Sequence, residues 1–320
     1  MSIVCTGSIA FDYLMNFPGH FRDHILPGSL DKLSLSFLVD SLVRLRGGIA
    51  PNIAYTLALL GEKPLLVGTV GEDFGDYREW LEEKGIDTRF VHQVPGKFTA
   101  SFFANTDLEN NQIASFYSGA MANASEISMH ELVAEHPTLV VISPNDPKAM
   151  DQYVAQCKEL HLPYLYDPGQ QVVRSDPAEL RRGVDGATSL FVNEYEYELL
   201  QKHTGLNASQ IMSSVQFLVV TKGRDGAIIY NAGEEHRIPV FPVDTIADPT
   251  GVGDAFRGGF LRGYQLGLDW QTCGQMGSLA AAYCLEQRGT QTHHFTPAEF
   301  VARYRTCFSD NGALDILIKR

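Results

Sequence analysis

Disulfide and zinc frameworks are the first things missing from this chain. Its five cysteines, Cys5, Cys157, Cys273, Cys284 and Cys307, are odd in number and include no C-x-x-C pair. Reduced thiols are the expectation, not a disulfide scaffold or a zinc ribbon. Basic residues are scarce as well: 25 Lys and Arg stand against 38 Asp and Glu, a formal net charge of -13. Non-specific nucleic-acid binding needs a basic stripe, so no nucleic-acid partner is expected. That scarcity does not exclude an anionic substrate, because a few oriented amides and one or two cations hold phosphates locally. No apolar run approaches the length of a membrane span, and the first residues show neither a charged n-region nor a cleavage site. The expectation is a soluble cytoplasmic protein without a membrane partner. Gly68 to Gly75 matches neither G-x-G-x-x-G nor the P-loop. Linkers, repeats and low-complexity tracts are also absent, so nothing divides the 320 residues.

What is present is a strand-and-helix rhythm. Residues 3–10 form a short apolar run that reads as one buried strand, with Asp12 directly past it. Residues 64–71, 139–143, 164–167, 189–193 and 217–221 read as further buried strands, and 227–230 and 235–240 as two antiparallel ones. Helical periodicity fills 53–61, 77–84, 146–160, 177–184, 194–202, 269–286 and 297–308. The rhythm weakens over 13–46, where 32–39 alternate like a half-exposed strand. Over 99–117 two alternating runs joined by 107–111 read as a β-hairpin or a pair of lid strands. Strands separated by helices imply βαβ units. The fold class is therefore α/β: a mainly parallel sheet with helices on both faces, in one domain spanning 1–320. A small β lid is expected from insertions at about residues 12–46 and 96–120.

One stretch stands out chemically: Asp248-Pro249-Thr250-Gly251-Val252-Gly253-Asp254-Ala255-Phe256-Arg257. Two close glycines lead into a helical pattern, so backbone N–H groups near 251–254 point into one concavity that suits an anion. A carboxylate there, Asp254, makes sense as a proton acceptor in phosphoryl transfer; read blandly, it is a first-turn helix residue that the dipole favours. Asn193-x-x-Glu196 follows a strand; the pair either orders water around Mg²⁺ or closes a capping box. Thr221-Lys222-Gly223 follows another strand, and open α/β sheets bind ligands at such strand ends. Asp12 is a ligand carboxylate by that same position, or a solvated loop acid. Phe102, Phe116 and Met121 either stack on a flat ligand or simply pack. Gly47-Gly48 before a helix is a turn or a hinge, and Pro51 suits that helix's first turn.

Gly47-Gly48-x-x-x-Asn52, Asn193-x-x-Glu196 and Asp248-x-Thr250-Gly251-x-Gly253-Asp254-x-Phe256 resemble, in order and spacing, the motifs of the ribokinase (PfkB) family of sugar and nucleoside kinases. Thr6-Gly7-Ser8-Ile9-Ala10-x-Asp12, Gln112-Ile113-Ala114-Ser115-Phe116-Tyr117, Gly119-Ala120-Met121 and Asp167-Pro168-x-Gln170-Gln171 are similar to the adenosine kinases of the mycobacterial type within it. So is residue stretch 33–40. The likeness runs to about Gln291. It implies a ribokinase-like fold and ATP-dependent phosphorylation of the ribose 5′-hydroxyl of adenosine. Asp254 would be the base, with the amides of Gly251, Val252 and Gly253 as the anion hole. Asp12, Gly48 and Asn52 would hold the ribose, and Ser8, Phe102, Phe116, Met121, Gln170 and Gln171 would surround the purine. Asn193, Thr221, Gly223 and Gly226 would line the ATP site, with Glu196 acting on Mg²⁺ through water. Asp248 and Thr250 would serve a monovalent cation such as K⁺. A homodimer through the lid strands is implied too. The chain departs from the usual family motif at Val252, where a smaller residue is common. Pro51 and Gly169 are further departures beside the substrate, and Arg257 has no settled role: it reaches a phosphate or only a neighbouring acid. The alternatives are a family kinase for ribose, fructose or another nucleoside, and a non-catalytic nucleoside-binding protein.

Overall fold

The computed structural model describes residues 2–25 and 34–319. The chain begins with β1 (Ile3–Thr6) and β2 (Ala10–Asn16), then β3 (Ser41–Gly47), α1 (Ile49–Leu59), β4 (Leu65–Val70), α2 (Gly75–Glu83) and β5 (Asp87–Gln93). A hairpin, β6 (Ala100–Thr106) and β7 (Gln112–Tyr117), is followed by two 3-10 runs, Gly119–Glu126 and Met129–Glu135. A regular alternation comes next: β8 (Leu139–Ile142), α3 (Pro147–Glu159), β9 (Tyr164–Tyr166), α4 (Pro177–Val184), β10 (Ser189–Asn193), α5 (Glu194–Thr204), α6 (Ala208–Ser214) and β11 (Phe217–Thr221). The antiparallel pair β12 (Ala227–Asn231) and β13 (Glu234–Ile238) precedes α7 (Val252–Gln265), α8 (Trp270–Leu285), α9 (Pro297–Tyr304) and α10 (Asp315–Ile318).

Nine strands form one sheet in the order β13-β12-β11-β10-β9-β8-β1-β4-β5. All neighbours from β11 to β5 run parallel, and only the β11-β12-β13 edge is antiparallel. Successive side chains on a strand point to opposite faces, and the two cores separate accordingly. Cys5, Leu66, Val141 and Phe191 join the cluster containing Ala54, Phe256, Phe260 and Cys273 of α1, α7 and α8. Val4, Val67, Val140 and Val192 join the cluster containing Met150, Leu180, Leu200 and Ile211 of α3 to α6. Helices therefore cover both faces, as the continuous apolar runs require. None of the described helices is long and apolar enough to cross a membrane.

Among the described residues, the other four strands make a separate sheet, β3-β2-β6-β7, drawn from two distant chain segments. Here the structure corrects two expectations. Residues 3–10 are not one strand: β1 ends at Thr6, and the chain leaves the large sheet through Gly7, Ser8 and Ile9 before β2 begins. Ser8 anchors that exit by donating its amide to Pro144 O at 2.8 Å. An apolar run carries no mark of such a change of sheet. The strand expected over 32–39 is not formed either; residues 34–39 are irregular, 32–33 lie outside the described residues, and the pairing strand is Ser41–Gly47. Register with β2 (Ala10↔Gly47 through Asn16↔Ser41) decides this, and local alternation cannot.

Candidate active site

The glycine loop opens α7 as expected. Gly251 is the N-cap, with φ +75. A Cβ there would stand 2.7 Å from Thr290 Cγ2 and 2.8 Å from Thr290 Cβ, so both backbone and space demand glycine. Ala255 N–H makes the first helical bond, to Gly251 O at 2.9 Å. The amides of Val252, Gly253 and Asp254 precede any intrahelical acceptor, and the helix dipole adds to their pull on an anion. Asp254, half-buried in this first turn, accepts a hydrogen bond from Asn52 Nδ2 at 2.8 Å. Burial pushes Asp254 up to about 6; the Arg257 guanidinium and the Asn52 bond hold it down, and Glu196 pushes it further up.

Asn52 comes from the first turn of α1, whose start is built with equal economy of space. Gly48 is the N-cap at φ +96, ψ 142. A Cβ on it would lie 2.5 Å from Ser8 O, 2.7 Å from Ala10 N and 2.7 Å from Ile9 Cα, all backbone atoms of the passage between the two sheets. Ser8 Oγ accepts from Ile49 N–H at 3.3 Å. Asp12 is not past the end of an inner strand, as its position suggested; it lies within β2 of the smaller sheet. Its Oδ2 would be 2.6 Å from a Cβ at Gly47, so the carboxylate leans over the Gly47-Gly48 step. Burial, and then the charge of Asp248, push Asp12 up to about 6. Register places Asp12 beside Phe102, and Phe102 beside Phe116, in one row across β2, β6 and β7. Phe116 is 50% exposed, so its ring is available to a ligand. Met121 follows, half-buried, in the 3-10 run after β7.

At the strand ends, Asn193 and Thr221 are register partners on β10 and β11. Asn193 and Glu196 make the capping box: Glu196 N–H donates to Asn193 Oδ1 and Asn193 N–H to Glu196 Oε2, each at 2.8 Å. Gly223 (φ +56) has nothing within 4 Å of a Cβ position, leaving open space above the loop. Gly226 is different, because a Cβ there would collide with Ile238 O, so the β12–β13 edge suffices to explain it. Gln171 is 7% exposed and donates Nε2 to Asn145 O at 2.6 Å, while Gln170 is exposed. Asp248 accepts from Thr250 N–H at 2.9 Å and Gly289 N–H at 3.1 Å, which ties the loop before α7 to the segment after α8.

Sequence reasoning gave Asp167 no role, left Arg257 open between a phosphate and a neighbouring acid, and missed Gln291. Asp167 is 1% exposed and accepts a hydrogen bond from Nη2 of Arg257, itself 8% exposed, at 2.9 Å, with the Arg257 Nε in ion-pair contact at 2.6 Å. Arg257 thus has a structural partner, and its Nη1 would lie 2.9 Å from a Cβ on Gly253. Gln291, at the limit of the motif likeness, is buried and donates Nε2 to Asn52 Oδ1 at 2.7 Å. A lone Gln carries no spacing signal that could have singled it out, and the Arg257–Asp167 pairing joins residues 90 positions apart. Asp254, Asn52, Gly48 and Asp12 converge at the α1 and α7 N-termini. Asn193, Thr221 and Glu196 gather at the β10–β11 strand ends. Among the described residues no cluster of three or more His, Cys, Asp or Glu could hold a metal by itself.

Comparison with known proteins identifies the family. The profile of the pfkB family carbohydrate kinases matches residues 2–297. A nucleoside kinase of Methanothermobacter thermautotrophicus is 30% identical over 305 residues, 94% of this chain and 95% of that protein. The structure of Burkholderia thailandensis nucleoside kinase in complex with inosine is 38% identical, with TM-score 0.85 over 96% of this chain and 98% of that one. The Methanocaldococcus jannaschii nucleoside kinase, an archaeal member of the ribokinase family, is 28% identical, with TM-score 0.86 over 95% and 98% of the two chains. The fold is ribokinase-like, and the chain belongs to the pfkB family of carbohydrate kinases, phosphotransferases with an alcohol acceptor.

Proposed function

We propose that this kinase transfers the γ-phosphoryl group of ATP to the ribose 5′-hydroxyl of a purine nucleoside, adenosine by preference, giving the nucleoside monophosphate and ADP. The observation that carries the proposal is the bond from Asn52 Nδ2 to Asp254 Oδ2, 2.8 Å, which joins the α1 and α7 N-termini at one carboxylate. Asp254 takes the proton from the attacking hydroxyl as the bond to phosphorus forms. The amides of Gly251, Val252 and Gly253 stabilise the negative charge that develops on the transferred group. Asp12, Gly48 and Asn52 hold the ribose, since a vicinal diol donates well to a carboxylate. The purine lies among Ser8, Phe102, Phe116, Met121, Gln170 and Gln171; the aligned aromatic pair favours a base over a bare sugar.

Asn193, Thr221, Gly223 and Gly226 line the adenine-nucleotide site, and the open space at Gly223 suits it. Mg²⁺ fits as an ion carried in on the triphosphate, because it keeps several waters and needs few protein carboxylates. Glu196 would reach it through water with the carboxylate oxygen not bound to Asn193 N–H. When bound, the ion neutralises phosphate charge. Asp248 and Thr250 would serve a monovalent cation, since each Asp248 oxygen accepts one amide, from Thr250 or Gly289, and keeps a lone pair. The smaller sheet would act as a lid over the nucleoside and as the contact between two protomers. Its edge strand β7 is exposed along its whole length.

Inosine is the second reading, favoured by the Burkholderia relative in complex with that nucleoside. A panel of adenosine, inosine, cytidine, ribose and fructose with Mg²⁺-ATP decides among acceptors. Adenosine should give the highest kcat/KM. Rapid turnover of ribose or fructose with none on nucleosides would overturn the proposal, and a preference for inosine would replace its acceptor.

A further inference from the structure

Behind Asp254 runs a chain of hydrogen bonds whose direction is dictated from its far end. Gly47 O, a backbone carbonyl, can only accept, and Tyr77 OH donates to it at 3.0 Å. With its proton committed, the Tyr77 oxygen accepts from Gln291 Nε2 at 2.6 Å. The amide end of Gln291 therefore points inward, and the same nitrogen donates to Asn52 Oδ1 at 2.7 Å. Asn52 must then turn Nδ2 toward Asp254, which receives it at 2.8 Å. Reversing Gln291 would set its Oε1 against two acceptors, so only one orientation satisfies the chain. In that orientation Oε1 is buried without a partner.

We infer that Gln291 is a positioning residue: acting through Asn52, it makes Asp254 the acceptor at the end of a polarised chain and so keeps the base ionised. The inference rests on the reading of Asp254 as base. Other charged groups also face this carboxylate. Arg257 stands on the same helix, Glu196 on α5 and Asp167 just past β9, while the Cys284 thiol on α8 feels its charge. None of them touches Asn52 Oδ1 in place of Gln291. Because the chain starts at the last residue of β3, it also couples the base to the seat of the smaller sheet.

The test is the pH profile of kcat for Gln291→Met, which keeps the volume and removes the donor, with Tyr77→Phe measured alongside it. Without the Gln291 donor, Asn52 is free to turn its oxygen toward Asp254, and the acid limb of Gln291→Met should move upward by about one pH unit. Near neutral pH its kcat should fall several-fold, with partial recovery at alkaline pH. Tyr77→Phe should shift the limb the same way by less, because Gln291 still reaches Asn52. A merely structural glutamine would lower Tm and leave the limb where it is. Folded Gln291→Met with an unmoved acid limb overturns the inference. Should that variant not fold, an unmoved limb in Tyr77→Phe does so. Asp254→Asn separates the two levels: retained turnover there sinks the base assignment itself, whatever the Gln291 variants do.

Discussion

Asp12 and Asp254 are both pushed from 3.8 up to about 6, each first by burial, with Asp248 adding to the effect on Asp12 and Glu196 to that on Asp254. For catalysis the sign is simple: a base must be ionised, so turnover should fall as pH drops through about 6. For stability the sign is opposite. A carboxyl that binds its proton more tightly folded than unfolded contributes stability below its unfolded value, and that contribution is lost as pH rises through about 6. Asp254→Asn should therefore cut turnover at least ~10²-fold, as expected for a general base, while raising Tm near pH 7.5. The Tm gain should vanish near pH 4; calorimetry at the two pH values measures it. The Arg257–Asp167 pair behaves differently. Burial raises Asp167 to about 7 even though Arg257 pulls it down. Arg257→Met strands a buried carboxylate, so unfolding in urea at pH 7.5 should show a loss of about 3 kcal/mol. The loss should be smaller at pH 5.5, where Asp167 can take a proton.

At the scale of single elements, the two helix starts that frame the site explain what could be read from the sequence. The α7 start was legible because its constraint is local: Gly251 must take φ +75, and the next residues must expose amides. Asn193 and Glu196 were legible in the same way, and both of their readings remain compatible, since the capping box leaves a carboxylate oxygen for water. β2 was not legible. Its pairing with β3 lies beyond a long connection, and a run continuous with β1 hides the break at residues 7–9. The strands of the smaller sheet obey register, and register is a long-range property. Gly48 and Gly223 turn this into an experiment. Gly48→Ala adds a Cβ against three backbone atoms at φ +96, so denaturation should show a loss of about 2 kcal/mol or more together with weakened nucleoside binding. Gly223→Ala meets open space and should cost only its backbone strain, about 1 kcal/mol. Similar losses for the two would contradict the close approach at Gly48.

Across the whole molecule, the large sheet and its two cores followed from apolar runs and helical spacing, but the joining of the sheets did not. Gln291, Thr290 and Gly289 lie far along the chain from the residues they hold. Gln291 reaches Asn52 and Tyr77, Thr290 Oγ1 reaches Arg46 O at 3.1 Å, and Gly289 N–H reaches Asp248. Such contacts leave no periodic trace. Self-association through the smaller sheet is the prediction belonging to this scale. Its β7 edge carries Ile113, 44% exposed, and Tyr117, 44% exposed, in a strand open to further pairing. Sedimentation should give a dimer, and Ile113→Lys should shift it toward monomer. A monomeric wild-type protein at micromolar concentration would remove the proposal.

The exposure of β7 has a consequence for how the acceptor range changes over generations of variants. The phosphate end of the site is welded to the fold: Gly48 and Gly251 cannot gain a side chain without displacing backbone or Thr290. Phe116, at the other end, belongs to a strand in which all six residues are exposed. Replacing an exposed strand residue disturbs little packing, with effects usually within about 0.5 kcal/mol. On the proposed reading, mutational drift or a deliberate library can thus explore new bases at Phe116, apart from the dimer contacts proposed at Ile113 and Tyr117, while the transfer chemistry is inherited unchanged. A family built this way would diversify in what it phosphorylates far more readily than in how.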